Sequence, residues 1–158
     1  MQHFTIEADG PAGLGRRLGA MLYDSLLLCA LIMVGTGLAI GLRTLFTDPA
    51  QVTADPQGAV HGVFYQAFIA LLIVGFFTCF WRLSGQTLGM QAWRIRVQNA
   101  DGRRLTLSQC LLRCLAGLLS WLCFGAGYWL ALFNAEKRSW SDMLSSSIAV
   151  RLPKEKKD

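Results

Sequence analysis

The sequence predicts an all-α membrane protein: two transmembrane helices, a third apolar segment that either crosses or re-enters the bilayer, and a small cytoplasmic β-hairpin. Three observations lead there. Hydrophobic side chains make up 53% of the 158 residues and mean hydropathy is positive, which is too apolar for an average soluble domain. The apolar residues gather in runs at about residues 18–42, 63–81 and 107–133, and the first two have the length needed to cross a hydrocarbon core of about 30 Å. Basic residues are distributed unevenly between the runs, as in a chain with a defined orientation.

The first run follows Arg16 and Arg17, an arrangement that resembles a secretory or twin-arginine leader. It is too long for a leader's apolar core and lacks a clean small-residue cleavage site, so it reads as a retained helix. Residues 1–15 read as a short lead with little structure of its own. Residues 43–62 contain Asp48-Pro49 and Asp55-Pro56 and read as a loop. After the second run come Arg82, Arg94, Arg96, Arg103 and Arg104. The positive-inside rule therefore puts the amino terminus and this basic segment in the cytoplasm and the 43–62 loop outside.

Within the basic segment, Arg94-Ile95-Arg96-Val97-Gln98 alternates polar and apolar residues, and Asn99-Ala100-Asp101-Gly102 supplies turn residues. That pattern predicts a hairpin over about 93–106, with 103–106 as the second arm. Its arginines are placed to touch anionic lipid headgroups. Thr106 and Gln109 have capping-box spacing, so a helix starts there.

The third run contains Arg113 early and Gly125-Ala126-Gly127 late, which limits the continuous helix to about 107–123. A single crossing would place the tail, 136–158, outside. The tail carries Lys137, Arg138, Arg151, Lys154, Lys156 and Lys157, which suits the cytoplasm. It also holds the strand-like Ser147-Ile148-Ala149-Val150-Arg151, whose natural partner is 94–98 on the inner side. A re-entrant pair of helices turning at the glycines satisfies both points and is preferred to a third span.

Chemistry-bearing residues are few. Cys29, Cys79, Cys110, Cys114 and Cys123 all lie in or beside apolar runs, which argues against a disulfide framework. Cys110 and Cys114 share a helix face, but His3 and His61 are remote in sequence, so the pair reads as core packing and no metal or cofactor is expected. No nucleophile triad, zinc motif or phosphate loop suggests an enzyme. The net charge of +5 is explained by topology and does not imply nucleic acid.

What remains is charge at the membrane edge. Arg17 lies seven residues before Asp24; seven residues turn about 700°, so the two share a face about 10 Å apart along the axis. A third group between them is the better solution, and Asp142 is the candidate if the tail returns to the inner surface. Asp24 facing headgroups and Asp142 simply favouring the first turn of a short helix capped at Ser139 are the plainer alternatives. Arg113 is interfacial unless Asp24 or Asp142 pairs with it.

Arg17, Ala20 and Asp24, the run Ser84-Gly85-Gln86-Thr87-Leu88-Gly89, the Ile95-Arg96-Val97 strand with Asp101-Gly102, Arg113, and Asp142 before a terminal strand together resemble the RDD family of integral membrane proteins. The ordered set covers nearly the whole chain, from Arg16 to Leu152. The family's arginine and two aspartates match Arg17, Asp24 and Asp142. Members often carry His-Asp-Arg near the end; here Ser141 precedes Asp142 and Met143 follows it, so the imidazole is missing. The resemblance implies a bacterial inner-membrane protein. Its activity would be cation/proton transport through the charge cluster, in a homo-oligomer because two spans enclose little volume. The other role it implies is an adaptor in a membrane complex, with the cluster as a structural clasp.

Overall fold

The structure is a computed structural model, and it describes residues 4, 8–123, 125–133 and 138–153. Most of the chain is helical. Helix α1 (Leu14–Phe46) and helix α3 (Val63–Leu83) are each long and apolar enough to cross a membrane. Both extend beyond the predicted 18–42 and 63–81, because helix continues through the flanking arginines. The chain divides into two compact units, one of residues 25–75 and one of residues 1–24 with 76–158.

In the first unit the two long helices approach closely at Gly35, where a side chain would come within 2.9 Å of Leu72 Cδ1. Thr36 Oγ1 and Tyr65 Oη share a hydrogen bond of 2.7 Å, a useful link where lipid offers no other polar partner. The 43–62 connection is not entirely loop. Asp48 accepts a hydrogen bond from the Ala50 N–H and caps a short helix, α2 (Pro49–Ala54), with proline at its first position. Arg43 closes the connection by donating to the Asp55 carbonyl at 2.6 Å.

The second unit is built on a two-stranded antiparallel sheet, β1 (Ile95–Asn99) with β2 (Ser147–Arg151), in the register Val97 opposite Ala149. The predicted hairpin over 93–106 is therefore corrected. The turn exists, with Asn99 N–H donating to the Arg103 carbonyl at 2.9 Å, but 103–106 is not a strand. The terminal strand takes that place, as its own alternation suggests, since it buries Ala149 against Ala12, Ala20 and Ile95, with Val150 buried as well.

Residues 9–12 of the amino-terminal lead are held in place as well, contrary to the expectation, while residues 1–3 and 5–7 lie outside the described residues. Asp9 N–H donates to the Arg151 carbonyl, Arg151 N–H to Gly10, and Ala12 N–H to Ala149, so residues 9–12 cover the outer edge of β2. The far edge of β1 is partly covered by the loop before helix α4 (Leu88–Ala92), through Val97 N–H donating to the Gly85 carbonyl at 2.7 Å. Gly85 has φ +71°, and a side chain there would press on that Val97 carbonyl oxygen.

The third apolar run forms helix α5 (Leu107–Leu122) and helix α6 (Ala126–Phe133), separated at Gly125, which has φ +78°. The capping box of Thr106 and Gln109 starts α5 as predicted. At 16 residues it rises about 24 Å, less than a hydrocarbon core. A five-residue helix, α7 (Trp140–Leu144), packs against α5 and leads into β2. In α5 the polarity is inverted. The buried positions are Cys110, Arg113, Ala116 and Ser120, whereas Leu111, Leu115, Leu118 and Leu122 are exposed.

A buried arginine and aspartate cluster as the candidate functional site

Four of the structure's elements bring Asp142 and two arginines together. Arg17 projects from the first turn of α1, Arg113 from the second turn of α5, Asp142 from α7, and Ser147 opens β2. Asp142 is 1% exposed, Arg113 5% and Arg17 6%, so three charged groups share a site with little water. Arg17 Nη1 donates to Asp142 Oδ2 at 2.5 Å, and Arg113 Nη1 donates to Oδ1 at 2.9 Å. Each carboxylate oxygen thus has its own guanidinium, an arrangement of charge-assisted bonds that offsets the desolvation of all three.

Serines complete the site. Ser139 donates to Asp142 Oδ2 from its backbone N–H and from its hydroxyl, both at 3.1 Å. Arg113 Nη1 also donates to the Ser147 hydroxyl, which shares a 2.6 Å hydrogen bond with Ser145, and Ser145 in turn donates to the Ser141 carbonyl. Arg17 Nε is held by the Ala12 carbonyl at 3.0 Å. On its other side the Arg113 guanidinium lies over the Trp81 ring, 5.3 Å from its centroid. Burial opposes ionisation of Asp142, but Arg113 and Arg17 outweigh it and hold the carboxyl below the ordinary aspartate range.

Asp24 is not part of this cluster. Its side chain is equally buried, at 4% exposure, but its partners are neutral: the Thr87 hydroxyl donates to Oδ2 at 2.5 Å and the Gly89 N–H to Oδ1 at 2.9 Å. Thr87 caps α4, so Asp24 ties α1 to the first turn of that helix. The crossing requires glycine. A side chain at Gly89 would collide with the Ala20 carbonyl and come within 2.8 Å of Asp24 Oδ1.

The structure therefore brings together Arg17, Arg113 and Asp142 and sets Asp24 apart. The plain reading of Asp142 as a first-turn residue and its reading as a charge partner are both met by one carboxylate, since the Ser139 N–H and the two arginines bind it at once. Sequence reasoning gives Thr87 and Gly89 no role of their own, although both stand in the Ser84–Gly89 run that contributes to the family resemblance. It also missed Ser139, Ser145 and Ser147 as ligands of the charges. The signal available was the spacing of small polar residues around a buried acid. Cys110 lies in the apolar cluster of Trp81, Val97 and Leu105, with Cys114 packed against it.

No curated protein and no solved structure matches the chain. The family model of the RDD family matches residues 11–146, a stretch that includes Arg17, Asp24, Arg113 and Asp142. By that match the protein, with its two apolar membrane-length helices and its buried arginine and aspartate cluster, belongs to the RDD family of membrane proteins.

Proposed function

We propose that this chain is a transport-related protein of the bacterial inner membrane that binds a proton or small cation at Asp24, with the Arg17–Asp142–Arg113 cluster as the clasp that holds Asp24 in place. The observation that carries the reading is the difference between the two buried acids. Asp142 is neutralised by two arginines, whereas Asp24, at the start of a long apolar stretch, is held among the described residues by neutral donors. A carboxylate in that position is costly to keep, which is the usual mark of an ion or proton pathway. Two spans enclose little volume, so the pathway is completed by a second copy or by a membrane partner.

The orientation that fits has the amino terminus, the sheet and the tail in the cytoplasm, against anionic headgroups, and α5 with α6 re-entering from that side. Reconstitution tests the transport reading. Proteoliposomes holding a pH gradient should lose it when Na⁺ or K⁺ is added, and Asp24→Asn should abolish the loss while the purified protein keeps its elution profile. A wild-type response no different from empty liposomes removes the proposal.

A second reading has its own support. The exposed leucines of α5 are also the surface by which an adaptor would meet another membrane protein, with the charge cluster purely structural. In that case a mild-detergent pull-down recovers a stoichiometric partner, Leu115→Ala with Leu118→Ala releases it, and Asp24→Asn changes protein level without any flux to lose.

A further inference from the structure

The surface of the second unit around Trp93 carries two arginines that lie outside the charge cluster. Arg16, in the first turn of α1, donates from Nη1 to the Trp93 carbonyl at 3.0 Å. Its guanidinium is thus fixed at the peptide unit that leads into Arg94. That bond uses one N–H and a neutral acceptor, so it leaves the charge unbalanced. Among the described residues neither Arg16 nor Arg94 has an acidic partner. Arg94 is exposed and has φ +53°, a left-handed conformation that favours glycine. Its N–H donates to the Gln91 carbonyl at 3.1 Å and its carbonyl accepts from the Leu152 N–H at 2.9 Å, so the backbone is pinned on both sides. An arginine kept at such a position points to a use for its side chain.

Trp93 and α1 decide what the cations face. The indole is 37% exposed and lies on Gly19, where a side chain would come within 2.3 Å of its Cε2. Tyr23, seven residues after Arg16, shares the helix face of Arg16 and Gly19 and is 51% exposed. A membrane-length helix therefore presents a cation at its start, a tryptophan seated across it, and an exposed aromatic side chain about 10 Å further along. That order matches the phosphate, glycerol and acyl regions of a phospholipid, with aromatic rings at the boundary. We propose that Arg16 and Arg94 bind the phosphate of one anionic phospholipid, with Trp93 against its glycerol region and its acyl chains along the Tyr23 face of α1. Guanidinium forks match phosphate oxygens in geometry as well as in charge. The site is saturable, unlike the general attraction of basic segments to an anionic leaflet.

The test uses the full chain in mild detergent with native mass spectrometry. Dioleoylphosphatidic acid is the probe, and dioleoylglycerol, with the same chains and no phosphate, is the control. Arg94→Gly removes the side chain at a position whose backbone suits glycine, so its thermal midpoint should equal or exceed that of the parent. If the midpoint falls instead, Arg94→Gln supplies the same comparison. Arg16→Gln removes the second cation, and Arg82→Gln removes an exposed charge at the end of α3, outside the site. The expected result is one phosphatidic acid retained per chain and no dioleoylglycerol. Binding should weaken about ten-fold in each of the Arg94 and Arg16 variants, the effect of one charged hydrogen bond, and stay unchanged in Arg82→Gln. Equal weakening by Arg82→Gln overturns the site in favour of general attraction to a basic surface. Equal retention of dioleoylglycerol, no retention of phosphatidic acid, or binding that either the Arg94 or the Arg16 variant fails to weaken overturns it as well.

Discussion

At the scale of single residues, the two buried acids behave differently because their donors differ. Asp142 is held below the ordinary aspartate value, about 3.9, because Arg113 and Arg17 favour the charged form more than burial disfavours it. Its contribution to stability is complete above that value and is lost as pH falls through the lower folded value. Thermal unfolding in detergent should therefore show a midpoint that is insensitive to this group at neutral pH and drops below about pH 4. Asp142→Asn should lower the neutral midpoint, since it leaves two buried guanidinium groups without a counter-charge, a loss of about 3–5 kcal/mol, and should erase that group's share of the acid limb. If Asp142→Asn has an unchanged midpoint at pH 7, the cluster is not a clasp. The Arg17 and Asp142 pairing is legible in the sequence because Arg17 and Asp24 are too far apart along α1 to bond directly, which calls for a further group beside Arg17. The sequence leaves Asp24 ambiguous, because its partners are a threonine and a backbone N–H, and neither type announces itself as a ligand of charge.

At the scale of elements, α5 carries the clearest departure from water-soluble design. A soluble amphipathic helix buries its leucines; this one buries an arginine, a serine and small side chains and exposes leucine along the other face. Small and polar groups inside with leucine outside is the pattern of helix packing in lipid. Leu118→Arg should therefore reduce membrane-extracted, correctly folded protein, by analogy with the insertion penalty of about 3 kcal/mol for a central arginine, while Leu118→Phe is tolerated. Equal yields for the two would place that face in water. The crossing of α1 with α4 gives a second check at this scale. Gly89→Ala puts a methyl group against the Ala20 carbonyl and the Asp24 carboxylate, and overpacking of that kind costs about 1–3 kcal/mol. Comparison with Gly37→Ala, where a side chain meets nothing within 4 Å, separates local crowding from the general effect of replacing a membrane glycine. Periodicity predicted the helices well, whereas strand pairing depends on residues about fifty positions apart. The turn after β1 looks like half of a hairpin because the strand that pairs with β1 arrives only after three more helices, and it is the alternation of 147–151, not the turn, that points to it.

For the whole molecule, the sheet restricts how the chain can be threaded through a bilayer. The strand β2 pairs on one edge with β1, which follows the second membrane-length helix, and on the other with residues 9–12, which precede the first. Two consecutive spans would return the chain to its starting side, and the expectation is then that β2 joins its partners on that side. A single crossing by the 107–133 segment would strand β2 on the opposite face, and α5 alone is too short to make it. Reporter fusions active on only one side of the membrane test this directly when placed at the amino terminus, after Leu152, and within the 43–62 connection. The expected result is that the two ends report the cytoplasm and the connection reports the outside. A fusion after Leu152 that reports the outside, with the amino terminus inside, would break the antiparallel pairing of β1 with β2. It would also separate Asp142 from Arg17 and remove the clasp, so one topological measurement bears on the sheet and the charge cluster together.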